Sequence, residues 1–139
     1  MQNEKIKREV KLRSPLGMAF LGDAVYELLV RRYVAKNIDA SPSALHKMTV
    51  SAVCAEAQAK ALALIVGVLS EDEKAIAIRG RNATKSAVPR SSNPRDYRHA
   101  TALESLFGYL YLIEDHDRIE ELFDIISASI PLDAEDMYI

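Results

Sequence analysis

Apolar residues recur along this chain at spacings of three and four and nowhere alternate with polar ones over a strand-length run, so the pattern predicts helices throughout. Ser14-Pro15 reads as an N-cap followed by a first-turn proline, opening a helix that runs to about Asn37. Its apolar stripe is Leu21, Val25, Leu28, Leu29 and Tyr33. Ser41-Pro42 opens a second helix with the stripe Leu45, Met48, Ala52, Ala55 and Ala59, and the alanine-rich run carries it on through Leu62 toward Leu69. Ser70 and Glu73 make a capping box ahead of EKAIAIRGRN. A stretch rich in Ser, Pro and Asn, residues 82–93, separates this helix from the next, which Asn93-Pro94 starts and DYRHATALESLFGYLYLIED continues. A last short helix covers DRIEELFDIISASI. Neither a repeat nor an interdomain linker is visible. The expectation is an all-α fold, one domain over residues 1–139, with a charged N-terminal segment at 1–13 and a short tail at 131–139.

Composition adds little to this; charge placement adds more. A chain of 139 residues, 49% hydrophobic and 27% charged, suits one soluble domain with its own core. No apolar run is long enough to span a bilayer, and the opening MQNEKIKREVKLR lacks the apolar centre of a signal peptide. The lone Cys54 has no partner for an internal disulfide, which fits a reducing cytoplasm. In its alanine-rich helix it is expected to pack rather than react. A net charge of −2 argues against a nucleic-acid partner, but the distribution reverses that argument. Arg79, Arg81, Lys85, Arg90, Arg95 and Arg98 share one twenty-residue window with a single acid, Asp96. From Glu114 to Ile139, nine acids face only Arg118. The chain thus reads as an acidic body with one electropositive face, or as a solvated loop with scattered arginines.

Two helical segments carry the same pair of oddities. FLGDAV, residues 20–25, sets Asp23 beside Gly22 within an apolar run. TALESLFGYLYL sets Glu104 among Ala102, Leu103, Leu106 and Phe107, with Gly108 four residues on and so on the same helical face. A glycine inside a helix costs about 1 kcal/mol relative to alanine. A buried carboxylate costs more unless a cation or hydrogen bonds compensate it. Both costs make sense if the glycines let two helices approach closely and bring Asp23 and Glu104 together. Two close carboxylates repel and call for a shared cation, and oxygen-only ligation favours Mg²⁺ or Mn²⁺ over zinc. The alternative is that each acid pairs with an arginine, such as Arg31 or Arg98.

FLGDAV followed far downstream by ALESLFGYLYL resembles the two acidic motifs that frame the ribonuclease III catalytic domain. GMAFLGDAVYELLVRRYV, SALHKMTV and RGRNATKS, in that order and at similar spacing, resemble its mini-ribonuclease III subgroup over about residues 14–113. The resemblance implies a metal-dependent endoribonuclease that hydrolyses double-stranded RNA to leave a 5′-phosphate and a 3′-hydroxyl. It implies Asp23 and Glu104 as catalytic and metal-holding residues, with Mg²⁺ as the ion and Mn²⁺ as a substitute. It also implies a homodimer with Phe20 and its neighbours packed across the seam, and a role in maturing the large-subunit ribosomal RNA precursor. Full-size members carry two further glutamates where this chain has Leu16 and Ala19, and an aspartate where it has Thr101. The reduced acidic set is itself like the subgroup, and leaves open what fills those positions. Glu27, one turn past Asp23, is either an outer ligand or the partner of Arg31. Full-size members also add a double-stranded RNA-binding domain. The chain ends soon after its last helix, so the expectation is that the catalytic domain holds RNA by itself.

Double-stranded RNA is recognised through shape, phosphates and 2′-hydroxyls, which calls for basic and small polar side chains on adaptable segments. Arg79, Arg81, Lys85, Arg90 and Arg95 supply these, and by the resemblance His46 and Lys47 join them. Arg79 and Arg81 serve equally well as helix-surface residues. Asp96 repels phosphate and is a candidate partner for Arg95 or Arg98. His116-Asp117 looks like a phosphohydrolase HD dipeptide, but only His46 and His99 remain as further ligands, too few for that chemistry. Beside the nuclease stands a second reading, a catalytically silent helical RNA-binding or ribosome-associated module on the same fold. Retention of both Asp23 and Glu104 favours the nuclease.

Overall fold

The computed structural model describes residues 2–84 and 88–132, and all their regular structure is helical, as expected. The order is α1 (Gln2–Lys11), α2 (Pro15–Asn37), α3 (Pro42–Val53), α4 (Ala55–Ile65), a 3₁₀ turn (Val66–Val68), α5 (Glu71–Asn82), α6 (Pro94–Leu112) and α7 (His116–Ser127). The predicted starts coincide with the observed ones, because capping is short-range chemistry. The Ser14, Ser41 and Asn93 side chains each accept from backbone N–H groups in the first turn ahead of a proline. Ser70 and Glu73 close both halves of their capping box.

Helix α6 is the spine. Every residue from Ala100 to Leu110 is buried except the half-buried Glu104. Helix α2 lies against it so closely that the backbones touch. A Cβ on Gly22 would stand 1.6 Å from the Glu104 carbonyl oxygen, and one on Gly108 would stand 1.8 Å from that of Met18. The two glycines are neighbours across this crossing: the Gly108 nitrogen lies 2.8 Å from where the Gly22 Cβ would be. A second close contact sets α5 on α6, where Gly80 faces Ser105, whose hydroxyl donates to the Pro15 carbonyl at 3.0 Å. Around these contacts the aromatic core seals α2 to α6 and α7. Tyr26 meets Phe107 and Phe123 edge to face at 5.4 and 6.1 Å. Arg118 ties α7 to the start of α5 and the 3₁₀ turn, donating to both Glu73 oxygens and to the Val68 carbonyl.

Four details differ from the sequence expectation. The second predicted helix is two, α3 and α4, meeting at 58°. Cys54, in extended backbone (ψ 161°), ends one and caps the other. No glycine or proline announces this break, and α4 is turned by packing along α6. Cys54 is therefore exposed at a corner rather than packed in a helix, its thiol directed at the Ser51 carbonyl. On α2 the buried stripe is Met18, Ala19, Gly22, Tyr26, Leu29, Val30 and Val34, whereas Leu28 from the predicted stripe is 67% exposed. This helix is apolar on more than one face, so periodicity alone could not select the inner one. Lastly, most of the charged N-terminal segment is the helix α1, held to the core by Val10 and Ile6.

The α2–α6 crossing yields a direct test. Gly22→Ala and Gly108→Ala each set a methyl against backbone that cannot yield, and should cost more than about 3 kcal/mol by urea denaturation. Gly67→Ala meets nothing within 4 Å and needs no positive φ, so it should be neutral or stabilise by up to about 1 kcal/mol. Comparable stabilities for all three variants would mean that the close crossing is wrong.

Candidate active site

The glycine crossing determines where the two odd carboxylates sit. Asp23 follows Gly22 on α2, and Glu104 is the α6 residue whose carbonyl Gly22 touches. The two acids are brought close enough for the Asp23 charge to bear on the Glu104 carboxyl. Asp23 is at the solvent edge, while Glu104 is half-buried behind it. Burial, first, and then the Asp23 charge push the Glu104 carboxyl up to about 8, against a smaller opposing effect from the Gln58 amide.

The arginine alternatives are not realised. Neither Asp23 nor Glu104 forms an ion pair among the described residues. Arg31 is taken by Glu27 at 3.2 Å, which also answers the question of Glu27, and Arg98 reaches neither acid. Asp96 pairs with neither Arg95 nor Arg98; its backbone N–H is capped by Asn93. Among the described residues no three His, Cys, Asp or Glu side chains group together, so the acid pair stands alone. Two carboxylates without a His or Cys beside them are a donor set for a hard divalent cation rather than for zinc. At the positions without the acids of full-size relatives, Leu16 is exposed, and Ala19 and Thr101 are buried.

Gln58 was missed. It is the one polar residue α4 buries, among Ala61, Leu62 and Ile65. Its Nε2 donates to the Val53 carbonyl at 2.8 Å and to Glu104 Oε2 at 3.4 Å. The available signal was the lone amide in AEAQAKALALI, on the same face as the buried apolar residues three and seven positions later.

The basic candidates divide. Arg81 and Arg95 line one cleft of about 500 Å³ between α4, α5 and the start of α6, together with Lys60, Lys74 and His99. His46 and Lys47 are exposed on α3 and line a broader groove, of about 1170 Å³, on the other side of Lys60. Arg90 is exposed in the turn that leads into α6. Arg79 is engaged within the fold: its guanidinium donates to the Lys11 and Arg13 carbonyls at 2.6 and 3.1 Å, clasping the end of α1. Lys85 lies outside the described residues.

Comparison with known proteins identifies the family. The Ribonuclease III domain family matches residues 16–115, a span that includes both acids. The chain is similar to Mini-ribonuclease 3 of Brevibacillus brevis, 42% identical over 88% of this chain and 91% of that one. Mini-ribonuclease 3 of Clostridium tetani is 38% identical over 88% of this chain and 82% of that one. A crystal structure of a Fusobacterium nucleatum protein superimposes with a TM-score of 0.77 at 32% identity, covering 85% of this chain and 94% of that one.

The Glu104 environment has a measurable consequence. Its carboxyl titrates near 8 in the folded chain and near the ordinary 4.5 when unfolded, so between those values the folded state holds the extra proton. Stability of the metal-free protein then falls as pH rises across that window. Thermal melts in EDTA should show this decline in the parent and lose it in Glu104→Gln. Parallel pH profiles for the two would rule out the acid pairing.

Proposed function

The chain belongs to the ribonuclease III family, in its mini-ribonuclease 3 branch, and from that membership together with its paired carboxylates we infer that it is an endoribonuclease that cuts double-stranded RNA. The carrying observation is the apposition of Asp23 and Glu104 at a crossing that only glycines allow. The family works with divalent metal ions. For this chain the ion is Mg²⁺, with Mn²⁺ able to replace it, and Asp23 and Glu104 are the residues that hold it. When bound, a divalent ion offsets phosphate charge and makes water a competent nucleophile near neutral pH.

The chain's own residues supply the rest. Glu104 is held by α6 and by the Gln58 amide, so its carboxylate is oriented before substrate arrives. Asp23, at the solvent edge, is the acid a phosphodiester meets first. Arg81, Arg90 and Arg95 serve the RNA backbone, with His46 and Lys47 as a second patch; Lys85 belongs with the first by sequence. Arg79 has two of its donors committed to backbone carbonyls, which favours a clasp over an RNA contact. The whole chain acts as one catalytic domain in the cytoplasm. Its substrate is the precursor of large-subunit ribosomal RNA, a role carried by its likeness to the subgroup. No single helix among the described residues is long and apolar enough to cross a membrane.

A homodimer is supported by α2. Phe20 is 85% exposed, and Leu16 and Leu28, one turn before it and two after, are exposed on the same face beside Asp23. A phenylalanine so exposed on an ordered helix needs cover. Phe20→Asp should sediment as a monomer while the parent sediments as a dimer; a dimeric Phe20→Asp places the seam elsewhere.

Cleavage of perfect duplex RNA tests the main reading. EDTA should abolish it. Asp23→Asn and Glu104→Gln should each lower the rate beyond the ten- to roughly hundred-fold typical of losing an outer-shell partner, with duplex binding retained. In the same assay Arg90→Ala with Arg95→Ala should weaken binding and flatten its salt dependence by about one unit of slope per lost phosphate contact. Unimpaired cleavage by Asp23→Asn would overturn the assignment of the acid pair, and absence of cleavage by the parent would favour the silent RNA-binding module.

A further inference from the structure

Gln58 is 3% exposed, and what surrounds its amide is not an ordinary core environment. Both acceptors of its Nε2 are oxygens: the Val53 carbonyl, at the end of α3 where a helix leaves its last carbonyls without internal partners, and Glu104 Oε2. Turning the amide over would set its own oxygen against those two, so its orientation is determined. That leaves Oε1 buried with no hydrogen-bond partner among the described residues. Buried polar atoms are nearly always satisfied, and an apolar residue here would avoid the cost altogether. The orphan oxygen belongs to the same amide that reaches Glu104, one residue removed from the acid pair.

The charge at the site gives the orphan a use. Asp23 and Glu104 together match one divalent ion. The positions where larger relatives have further acids carry Leu16, Ala19 and Thr101. A hard divalent ion still wants more oxygens than two carboxylates supply, and Mg²⁺ keeps several waters that themselves need acceptors. A third carboxylate would add repulsion to a half-buried pair already in conflict; an amide oxygen adds an acceptor without charge.

We propose that Gln58 is a positioning residue of this site, its Nε2 holding Glu104 in place and its Oε1 accepting from the water shell of the divalent ion. The inference rests on the reading of Asp23 and Glu104 as the metal-holding pair, and it assigns to α4 and the α3–α4 corner a part in ion binding. The corner's Val53 carbonyl anchors the amide, and the amide anchors Glu104.

Mn²⁺ binding, followed by the loss of the free-ion paramagnetic resonance signal, tests this without turnover. Parent, Asp23→Asn, Gln58→Leu and Gln58→Met are compared, each with its melting curve in EDTA. Gln58→Leu removes both polar atoms at similar volume and should stay folded while binding Mn²⁺ roughly ten-fold or more weakly, as for lost outer-shell partners. Gln58→Met keeps the length and flexibility of the side chain without its amide and should lose affinity to the same degree. In cleavage assays the Mg²⁺ concentration for half-maximal rate should rise in Gln58→Leu with the RNA KM unchanged. If Gln58→Leu binds Mn²⁺ as the parent does, the proposal is wrong and Gln58 only caps α3. Should Gln58→Leu fail to fold, Gln58→Met decides alone: a roughly ten-fold loss of affinity supports the proposal, and affinity equal to the parent's overturns it. Undiminished binding by Asp23→Asn would instead remove the metal reading of the acid pair itself, a separate failure.

Discussion

Helices α2 and α6 meet backbone to backbone, and the rest of the molecule is arranged around that contact. Side chains cannot intervene at Gly22 or Gly108, so the separation of the two helices is set by main-chain atoms rather than by the fit of flexible groups. A functional pair placed beside such a contact inherits its rigidity. Asp23 and Glu104 are adjacent because they flank the closest approach in the fold, and their mutual repulsion is held in check by everything that holds α2 on α6. The aromatic cluster of Tyr26, Phe107 and Phe123 and the Arg118 clasp on Glu73 and Val68 act as reinforcement for that crossing. The crossing thereby holds the two acids in electrostatic conflict.

Much of this was legible in the sequence, and the reason is locality. Ser14-Pro15, Ser41-Pro42, Ser70 with Glu73, and Asn93-Pro94 announce helix starts because a cap needs only residues a few positions apart. The glycine near each acid was legible too, as two departures from helix preference that explain each other, although Asp23 is at the solvent edge rather than buried. What could not be read depends on contacts distant along the chain. Arg79 looked like a phosphate ligand until its donors were found on Lys11 and Arg13, more than sixty residues away. The corner at Cys54 carries no breaker residue and exists because α4 is drawn along α6. Leu28 and Phe20 had the composition of core and the position of surface, since α2 is apolar on two faces.

Gln58 belongs to the same class. In an alanine-rich run an amide has many possible uses, and only the meeting of α4 with α6 and the end of α3 selects one. The acids that larger relatives place on α2 and α6 are absent here, at Leu16, Ala19 and Thr101, and a neutral side chain arrives from a different helix. Fewer charges leave the crossing of α2 and α6 with less repulsion to hold.

Helix α6 carries Glu104 in its middle and Arg95 in its first turn. Nine residues of unbroken helix separate them by roughly 14 Å along the axis. No hinge lies between the two, and the helix is buried from Ala100 onward. On the roles proposed for Arg95 and the acid pair, a strand gripped by its backbone at one end of this rod is presented to the acids at a constant distance. The helix then acts as a ruler: the point of cutting is measured from the point of holding.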